Sequence, residues 1–178
     1  MAEDRELLDI IIIGAGLSGV SAGVHLTRHS PGTRWCILES RDAMGGTWDL
    51  FRYPGVRSDS DMHTLGFSFR PWTSKNAIAE GGEILEYIRE TAESCNITGK
   101  VRFGHQVVSA NWSDLDSCWH LDVYVNGDSN PRTFRCRLLQ VCAGYYNYEQ
   151  PHNPVLTDEE RFSGSLVHPQ HWPENLDY

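Results

Sequence analysis

The feature that most constrains the fold is a glycine-rich turn that lies between a short apolar run and a helix-like stretch. Residues 9–13 are an aspartate followed by four isoleucines, which predicts a buried parallel strand. Residues 14–19 then read Gly-Ala-Gly-Leu-Ser-Gly and fit the pattern GxGxxG. Small and apolar residues at helical spacing follow from Leu17 to about His29, and residues 34–38 indicate a second strand. This order predicts one β-α-β unit of a Rossmann-like fold.

Each glycine of this turn has its own physical use in a dinucleotide site. Gly14 permits the tight turn, Gly16 lets a pyrophosphate approach the backbone, and Gly19 lets the helix pack closely on the strand. The amino end of the helix offers free N–H groups and a favourable dipole to the anion. Glu39 follows the second strand, where a carboxylate can accept hydrogen bonds from an adenosine ribose. The sequence therefore predicts a dinucleotide site.

Two other interpretations of the turn are weaker. A glycine-rich turn without a ligand does not explain Glu39, and the serine-hydrolase elbow GxSxG would need glycine where Val20 stands. An acidic residue at this position disfavours a 2′-phosphate on the ribose, so NADP is not expected in this first site. The acid does not separate NAD from FAD, and that choice stays open on these residues alone.

The rest of the chain predicts the remainder of one α/β domain. Residues 40–79 are rich in Gly, Pro, Trp and Arg, and their many aromatic side chains indicate a functional insertion rather than disorder. Further predicted elements are a helix at 83–95, strands at 101–110, 119–125 and 135–143, a turn at 126–128 and an extended tail at 145–178. We therefore expect an α/β, Rossmann-like FAD-binding or NAD-binding domain with a parallel sheet, a β-meander and a helical or irregular insertion over residues 1–150. A linker is expected over 151–178.

Composition disfavours several classes of function. The formal net charge of the 178 residues is -9, and an acidic surface argues against nucleic acid because phosphate binding needs clustered Lys and Arg. The five cysteines form no CxxC pair, so reduced thiols and a cytoplasmic protein are expected. Residues 1–6 are acidic, unlike a signal peptide, and no apolar run is long enough to suggest stable membrane insertion. His168 and His171 do not predict a metal site, because Pro169 interrupts a regular helix and no third ligand is near.

Two longer patterns resemble fingerprints of the Baeyer–Villiger monooxygenases. Residues 45–59, Gly-Gly-Thr-Trp-Asp-Leu-Phe-Arg-Tyr-Pro-Gly-Val-Arg-Ser-Asp, meet every fixed position of GGxWxxxxYPGxxxD. Residues 162–173 meet every fixed position of FxGxxxHxxxW followed by proline, with Trp172 where the related flavin-containing monooxygenases usually carry Phe or Tyr. The resemblance covers essentially the whole chain. Within these group B flavoprotein monooxygenases it is strongest toward the ethionamide-activating branch.

The resemblance implies that the first site takes FAD. In the family, NADPH binds a second Rossmann unit that follows the FxGxxxHxxxW motif, but these 178 residues contain no second GxGxxG. The NADPH site, the family's active-site arginine and the C-terminal segments that complete the FAD domain are therefore expected to lie outside this chain. The FAD-site residues that the resemblance implies are Gly14, Gly16, Ser18, Gly19, Glu39, Thr47, Trp48, Asp49, Leu50, Arg57, Ser58, Asp59 and Val107.

Asp59 is the candidate catalytic residue, and this too rests on the resemblance. In the family this aspartate lies near the flavin and the nicotinamide and pairs with the arginine, where a carboxylate can hold a cation that stabilises developing negative charge. Asp59 could also be a solvated loop carboxylate beside Asp61. Trp48 offers a flat apolar surface to a planar ring, although it could be an ordinary core aromatic.

The implied activity is FAD- and NADPH-dependent insertion of one oxygen atom from O₂ into a ketone, or oxidation of sulfur or nitrogen. The substrate is then a small ketone or thio-compound, and no residue of the sequence defines its pocket. The alternative is a non-catalytic FAD-binding fragment or remnant, and the isolated chain is expected to be inactive. A NAD-linked dehydrogenase is a weaker third interpretation, because it does not explain the two fingerprints. The oligomeric state stays open.

Overall fold

The glycine-rich turn lies at the carboxyl end of the first strand of a six-stranded mixed sheet. The structure is a computed structural model that describes residues 6–173 and 175–177. The outer ends of both expected ranges, 1–150 and 151–178, fall on residues outside this description. The strands are β1 (Leu7–Ile13), β2 (Trp35–Leu38), β3 (Val101–Arg102), β4 (His105–Ser113), β5 (Cys118–Val125) and β6 (Arg132–Val141). The helices are α1 (Leu17–His29), α2 (Thr47–Leu50), α3 (Met62–Leu65) and α4 (Gly81–Ser94).

The order of strands in the sheet is β3-β2-β1-β6-β5-β4. The pairs β3–β2, β2–β1 and β1–β6 are parallel, whereas β6–β5 and β5–β4 are antiparallel and form the predicted meander. Helix α1 makes the crossover from β1 to β2, as the β-α-β pattern predicts. The Rossmann-like α/β fold with its meander is thus confirmed.

Strand β2 shows how the core is divided between the two faces of the sheet. Trp35 and Ile37 enter one core, which is covered by α1 and α4. Cys36 and Leu38, the alternate residues, enter a second core with side chains from β5 and β6. All four side chains are buried, which is why a parallel strand of this kind reads as a continuous apolar run.

One predicted strand, residues 101–110, is wrong as a single element. It is divided by a turn at Gly104, which has φ +66 and whose added Cβ would meet Asn126 Oδ1 at 2.2 Å. The part before the turn pairs in parallel with β2, and the part after it pairs antiparallel with β5. Both parts are extended, so periodicity alone could not show that the strand changes partner.

The remaining boundaries differ by small steps with local causes. Helix α4 begins at Gly81 rather than at residue 83, because Glu80 and Glu83 form a capping box around its first turn. The insertion at 40–79 contains the short helices α2 and α3. The tail is irregular with 3₁₀ turns at Glu159–Arg161 and Pro169–His171 rather than simply extended. Among the described residues, none of the helices has the length and apolar character needed to span a membrane.

Candidate functional site

The site is built around the close approach of backbone at the glycine-rich turn. Gly14 has φ +98, and a Cβ there would stand 2.5 Å from the carbonyl oxygen of Cys142. A Cβ on Gly19 would stand 1.9 Å from the carbonyl oxygen of Gly14. The backbone N–H of Gly14 donates to the carbonyl of Leu38 over 2.8 Å. Strands β1, β2 and β6 therefore meet α1 with no room for side chains at two of the three motif glycines.

A further pair of glycines, Gly45 and Gly46 of the insertion, packs against the glycine-rich turn. Gly45 donates its N–H to the carbonyl of Ala15 over 3.0 Å. An added Cβ on Gly16 would lie 3.6 Å from the Cα of Gly46, which is ordinary contact. Both Gly45 and Gly46 have positive φ, a conformation that glycine adopts without strain. The insertion is thereby brought against the amino end of α1.

Glu39 is buried at the carboxyl end of β2, with 5% of its surface exposed. Its Oε2 accepts from the N–H of Ala15 over 2.7 Å, and its Oε1 accepts from the N–H of Arg41 over 2.9 Å. An ionised carboxylate has about four acceptor positions, so capacity for a hydroxyl donor remains. The two backbone donors hold the carboxylate at the edge where β1 and β2 end.

Between these parts lies a cleft of about 930 Å³, which we call the glycine-lined cleft. It opens at the carboxyl ends of the three neighbouring parallel strands β1, β2 and β6. Such a crevice is where open α/β sheets bind ligands, and its volume is within the range of roughly 300–1,000 Å³ for ligand pockets. The residues expected to bind FAD that line it are Gly14, Gly16, Ser18, Glu39, Thr47, Trp48, Leu50 and Val107.

Asp49 lies in α2, but its carboxylate is turned to a cluster of arginines rather than to the cleft. It is 2% exposed and accepts from Arg41 over 2.6 Å and from Arg89 over 2.8 Å. Arg52 stands 3.7 Å away. Asp49 thus joins α2 to α4 and fixes Arg41 beside the cleft, which is a supporting position and not the lining position expected.

Arg57, Ser58, Asp59 and Gly19 also lie outside the lining of the glycine-lined cleft. Ser58 is 3% exposed and donates from Oγ to the carbonyl of Ser60, whereas Arg57 and Asp59 are exposed. The pKa of Tyr146, a lining residue, is raised first by its hydrogen bond with Tyr145, then by burial, with a smaller contribution from the charge of Asp59. Asp59 is therefore near the Tyr146 end of the cleft.

Several residues that line the cleft lie outside the sequence motifs, so the motifs could not assign them to the site. Arg41 lies between Asp49 and the cleft, with its guanidinium 5.7 Å from the ring centre of Tyr148. Burial, and next the charge of Glu39, raise the pKa of the Tyr148 phenol. The other lining residues that sequence reasoning did not assign to the site include His105, Gln106, Cys142, Ala143, Tyr146 and Asn147.

The histidine pair in the tail has structural partners. His168 contacts the carbonyl of His152 through Nε2 at 3.2 Å and accepts from the N–H of Gln170 through Nδ1 at 3.1 Å. Within the described ranges, no group of three His, Cys, Asp or Glu side chains is placed to hold a metal ion. None of the five cysteines, all of which lie within the described residues, forms a disulfide.

Comparison with known proteins finds relatives of this chain among FAD-containing and FAD-binding monooxygenases. Residues 12–76 match the model of the NAD(P)-binding Rossmann-like domain. The FAD-containing monooxygenase EthA of Mycobacterium tuberculosis is 52% identical over 173 residues, which are 97% of this chain and 35% of that protein. Over almost its entire length the chain is thus similar to the first part of an FAD-containing monooxygenase. A probable FAD-binding monooxygenase AlmA of Acinetobacter is 45% identical over 96% of the chain and 34% of its own length. The chain thus spans about a third of the length of the curated relatives it matches.

Solved structures of other monooxygenases share the fold. An open crystal structure of cyclohexanone monooxygenase superposes with a TM-score of 0.79 at 28% identity, over 97% of this chain and 33% of that one. A steroid monooxygenase bound to NADP gives a TM-score of 0.76 at 28% identity, over 95% and 32% of the two chains. The similarity of the fold to these monooxygenases agrees with the two sequence fingerprints and with the observed strand order.

Proposed function

We propose that these residues form the FAD-binding part of an FAD- and NADPH-dependent monooxygenase. Its reaction inserts one oxygen atom of O₂ into a small ketone, or oxidises sulfur or nitrogen in a thio-compound or amine. The observation that carries the proposal is the glycine-lined cleft, where the motif glycines, Glu39 and the Thr47–Trp48 segment meet at one sheet edge. The names of the relatives, FAD-containing and FAD-binding monooxygenases, support the same cofactor.

The residues of the cleft fit FAD in shape and charge. Gly14 and Gly16 leave the backbone open to a pyrophosphate at the amino end of α1, and the buried Glu39 carboxylate can accept from ribose hydroxyls. Thr47 and Trp48 would face the flavin end, and Val107 the adenine end. Bound FAD would supply electron transfer from NADPH and the activation of O₂. The chain's part is to hold and orient it.

Asp59 is proposed as the catalytic carboxylate near the flavin. Its exposed carboxylate, whose charge contributes to raising the pKa of Tyr146, would hold a cationic side chain from outside this segment close to the reacting atoms. Residues 1–150 would form the FAD-binding unit, and 151–178 the linker toward an NADPH-binding unit. Five cysteines without a disulfide among them also support a reducing compartment, so we propose a cytoplasmic protein.

A second candidate is an FAD-binding fragment without catalytic activity. The observation that favours it is length, because the chain spans about a third of its relatives. Both candidates require the same cofactor in the glycine-lined cleft. They differ in whether oxygenation can occur without further polypeptide.

FAD binding is tested by titrating the purified chain with FAD and following flavin absorbance and fluorescence quenching. Gly16→Ala is the informative variant, because its added Cβ makes only ordinary contact with Gly46 and yet occupies space beside the phosphate position. We expect Gly16→Ala to raise the Kd for FAD by about tenfold or more at unchanged thermal stability.

Gly82→Ala is the matched control for that titration. Its Cβ would meet nothing within 4 Å, so it should bind FAD like the unsubstituted chain. Failure of the unsubstituted chain to bind FAD would overturn the proposal. Equal affinity for FAD in the two variants would show that the cofactor does not use the glycine-rich turn.

A further inference from the structure

The tail segment 162–173, which carries the second fingerprint, is joined to the wall of the glycine-lined cleft by one buried side chain. Gln170 is 8% exposed. Its Nε2 donates to the carbonyl of Asn147 over 2.9 Å and to the carbonyl of Tyr148 over 2.9 Å. Gln170 is not a fixed position of FxGxxxHxxxW, so the motif itself gives no reason for its burial. The two hydrogens of the Gln170 amide thus bind the carbonyls of two adjacent residues in one loop.

This loop, residues 145–149, contributes Tyr146, Asn147, Tyr148 and Glu149 to the lining of the cleft. Asn147 forms a local turn by accepting from the N–H groups of Glu149 and Gln150 over 3.0 and 2.9 Å. Glu149 accepts from Gln106 of β4 over 3.1 Å, which ties the loop to another lining residue of the cleft. The loop is therefore held from two sides, by Gln106 and by Gln170.

Tyr148 projects from this loop into the cleft. Its hydroxyl oxygen lies 3.9 Å from the position of an added Cβ on Gly46, and its ring faces the guanidinium of Arg41. A tyrosine phenol is protonated at neutral pH, and burial raises the pKa of Tyr148 further, so its O–H is available as a donor. The volume of about 930 Å³ is present with Tyr148 in place, so the ring forms a wall of the cleft and does not fill it.

We propose that Gln170 is a positioning residue that holds Tyr148 against the cofactor, so that the segment 162–173 and the occupancy of the cleft are coupled. The inference rests on the proposed function, since the occupant is FAD. Tyr148 contacts the phosphate and ribose part, because Glu39, Arg41 and Gly46 surround it. Displacement of the tail segment withdraws both amide donors and releases this wall. FAD, by contacting Tyr148, in turn favours the docked position of the segment.

The first measurement is hydrogen exchange of the amides of residues 146–149 in the 178-residue chain without FAD. Gln170→Leu keeps the apolar bulk and removes both donors, so we expect these amides to exchange several-fold faster. Gln150→Leu is the matched control, because Gln150 is exposed directly after this loop and its side chain makes no described hydrogen bond. Unchanged exchange in Gln170→Leu would overturn the proposed clamp.

The second measurement is the Kd for FAD of the same chains. Loss of two hydrogen bonds to the loop should weaken FAD binding by about fivefold in Gln170→Leu and leave Gln150→Leu unchanged. Faster exchange with unaltered FAD affinity would overturn the coupling to the cleft and leave the proposed function intact. Absence of FAD binding in the unsubstituted chain would overturn the proposed function and this inference together.

A double-mutant cycle separates positioning from general loosening of the fold. If Gln170 acts through Tyr148, then Gln170→Leu should have little further effect on FAD affinity in a Tyr148→Ala background. Additive losses would mean that Gln170 acts independently of Tyr148 and would overturn the assignment. Thermal unfolding of the single and double variants is the control. Matching curves would show that the changes in FAD affinity arise at the cleft and not from loss of stability.

Discussion

Gly19 has the shortest steric contact among the described glycines. The position of its absent Cβ is 1.9 Å from the carbonyl oxygen of Gly14 and 3.6 Å from Cγ2 of Ile12. The nearest atom belongs to the backbone of the turn itself, so it cannot move aside as the end of a long side chain could. The residue type at this position is therefore fixed by packing of α1 on β1, before any cofactor is considered.

Gly19→Ala should lower the free energy of unfolding by about 2 kcal/mol or more, because α1 must move away from the turn. Urea unfolding followed by circular dichroism measures this change. Gly82→Ala lies in an open position of α4 and should be neutral, or stabilising by about 0.4–1 kcal/mol. Equal stability of the two variants would contradict the packing argument.

At the scale of elements, the buried carboxylate of Asp49 joins pieces that are far apart in the chain. Its partners Arg41 and Arg89 come from the segment after β2 and from α4. Helix α2 has only four residues, so it cannot be stable through its own hydrogen bonds. The ion cluster therefore helps to place the Thr47–Trp48 wall of the cleft.

Asp49→Asn should lower the free energy of unfolding by about 2–4 kcal/mol, because two guanidinium groups lose their buried counter-charge. It should also weaken FAD binding, since Arg41 and α2 are no longer fixed. Asp128→Asn is the control, because the Asp128–Arg132 pair is exposed and removing it should cost under about 1 kcal/mol. Chemical denaturation measures the loss of stability in each variant. An equally small loss in Asp49→Asn and Asp128→Asn would mean that the Asp49 cluster contributes no more than an exposed surface pair.

At the scale of the whole molecule, the order of strands decides where a ligand can bind. Strand β1 lies between β2 and β6 and is parallel to both, so the carboxyl ends of three neighbouring strands meet at one edge of the sheet. Ligands of open α/β sheets bind in the crevice that this arrangement leaves. The sequence has one GxGxxG, at residues 14–19, and it lies at this edge. The glycine-rich turn and the strand order therefore both point to one dinucleotide site, the glycine-lined cleft.

The 178-residue chain should bind FAD but form no ester or sulfoxide when supplied with NADPH, O₂ and a ketone or thioether. The reason is that its single glycine-rich site is assigned to FAD, and the chain spans about a third of the length of its relatives. Product analysis by chromatography tests this, with a full-length relative as the positive control. NADPH-dependent product from the chain alone would contradict it.

Local patterns were sufficient for the β-α-β unit. Helix α1 runs from Leu17 to His29 as predicted, because helical spacing of apolar residues and its glycine and proline boundaries are local signals. The two fingerprints indicated the family, which the relatives confirm. Eight of the residues expected to bind FAD line the glycine-lined cleft, and their contacts with the cofactor stay a prediction.

The sequence by itself thus determined the fold class, the resemblance to the monooxygenases and the glycine frame of the site, because each depends on neighbours within one element or one motif. Tertiary structure alone decided which side chains reach the cleft. It turned Asp49 toward Arg89, 40 positions away. It also brought Tyr148 to the cleft, where Gln170 donates a hydrogen bond to the Tyr148 carbonyl. It also divided residues 101–110 between two partner strands. These contacts join residues distant in the chain, and packing and charge pairing in three dimensions leave no local pattern from which to infer them.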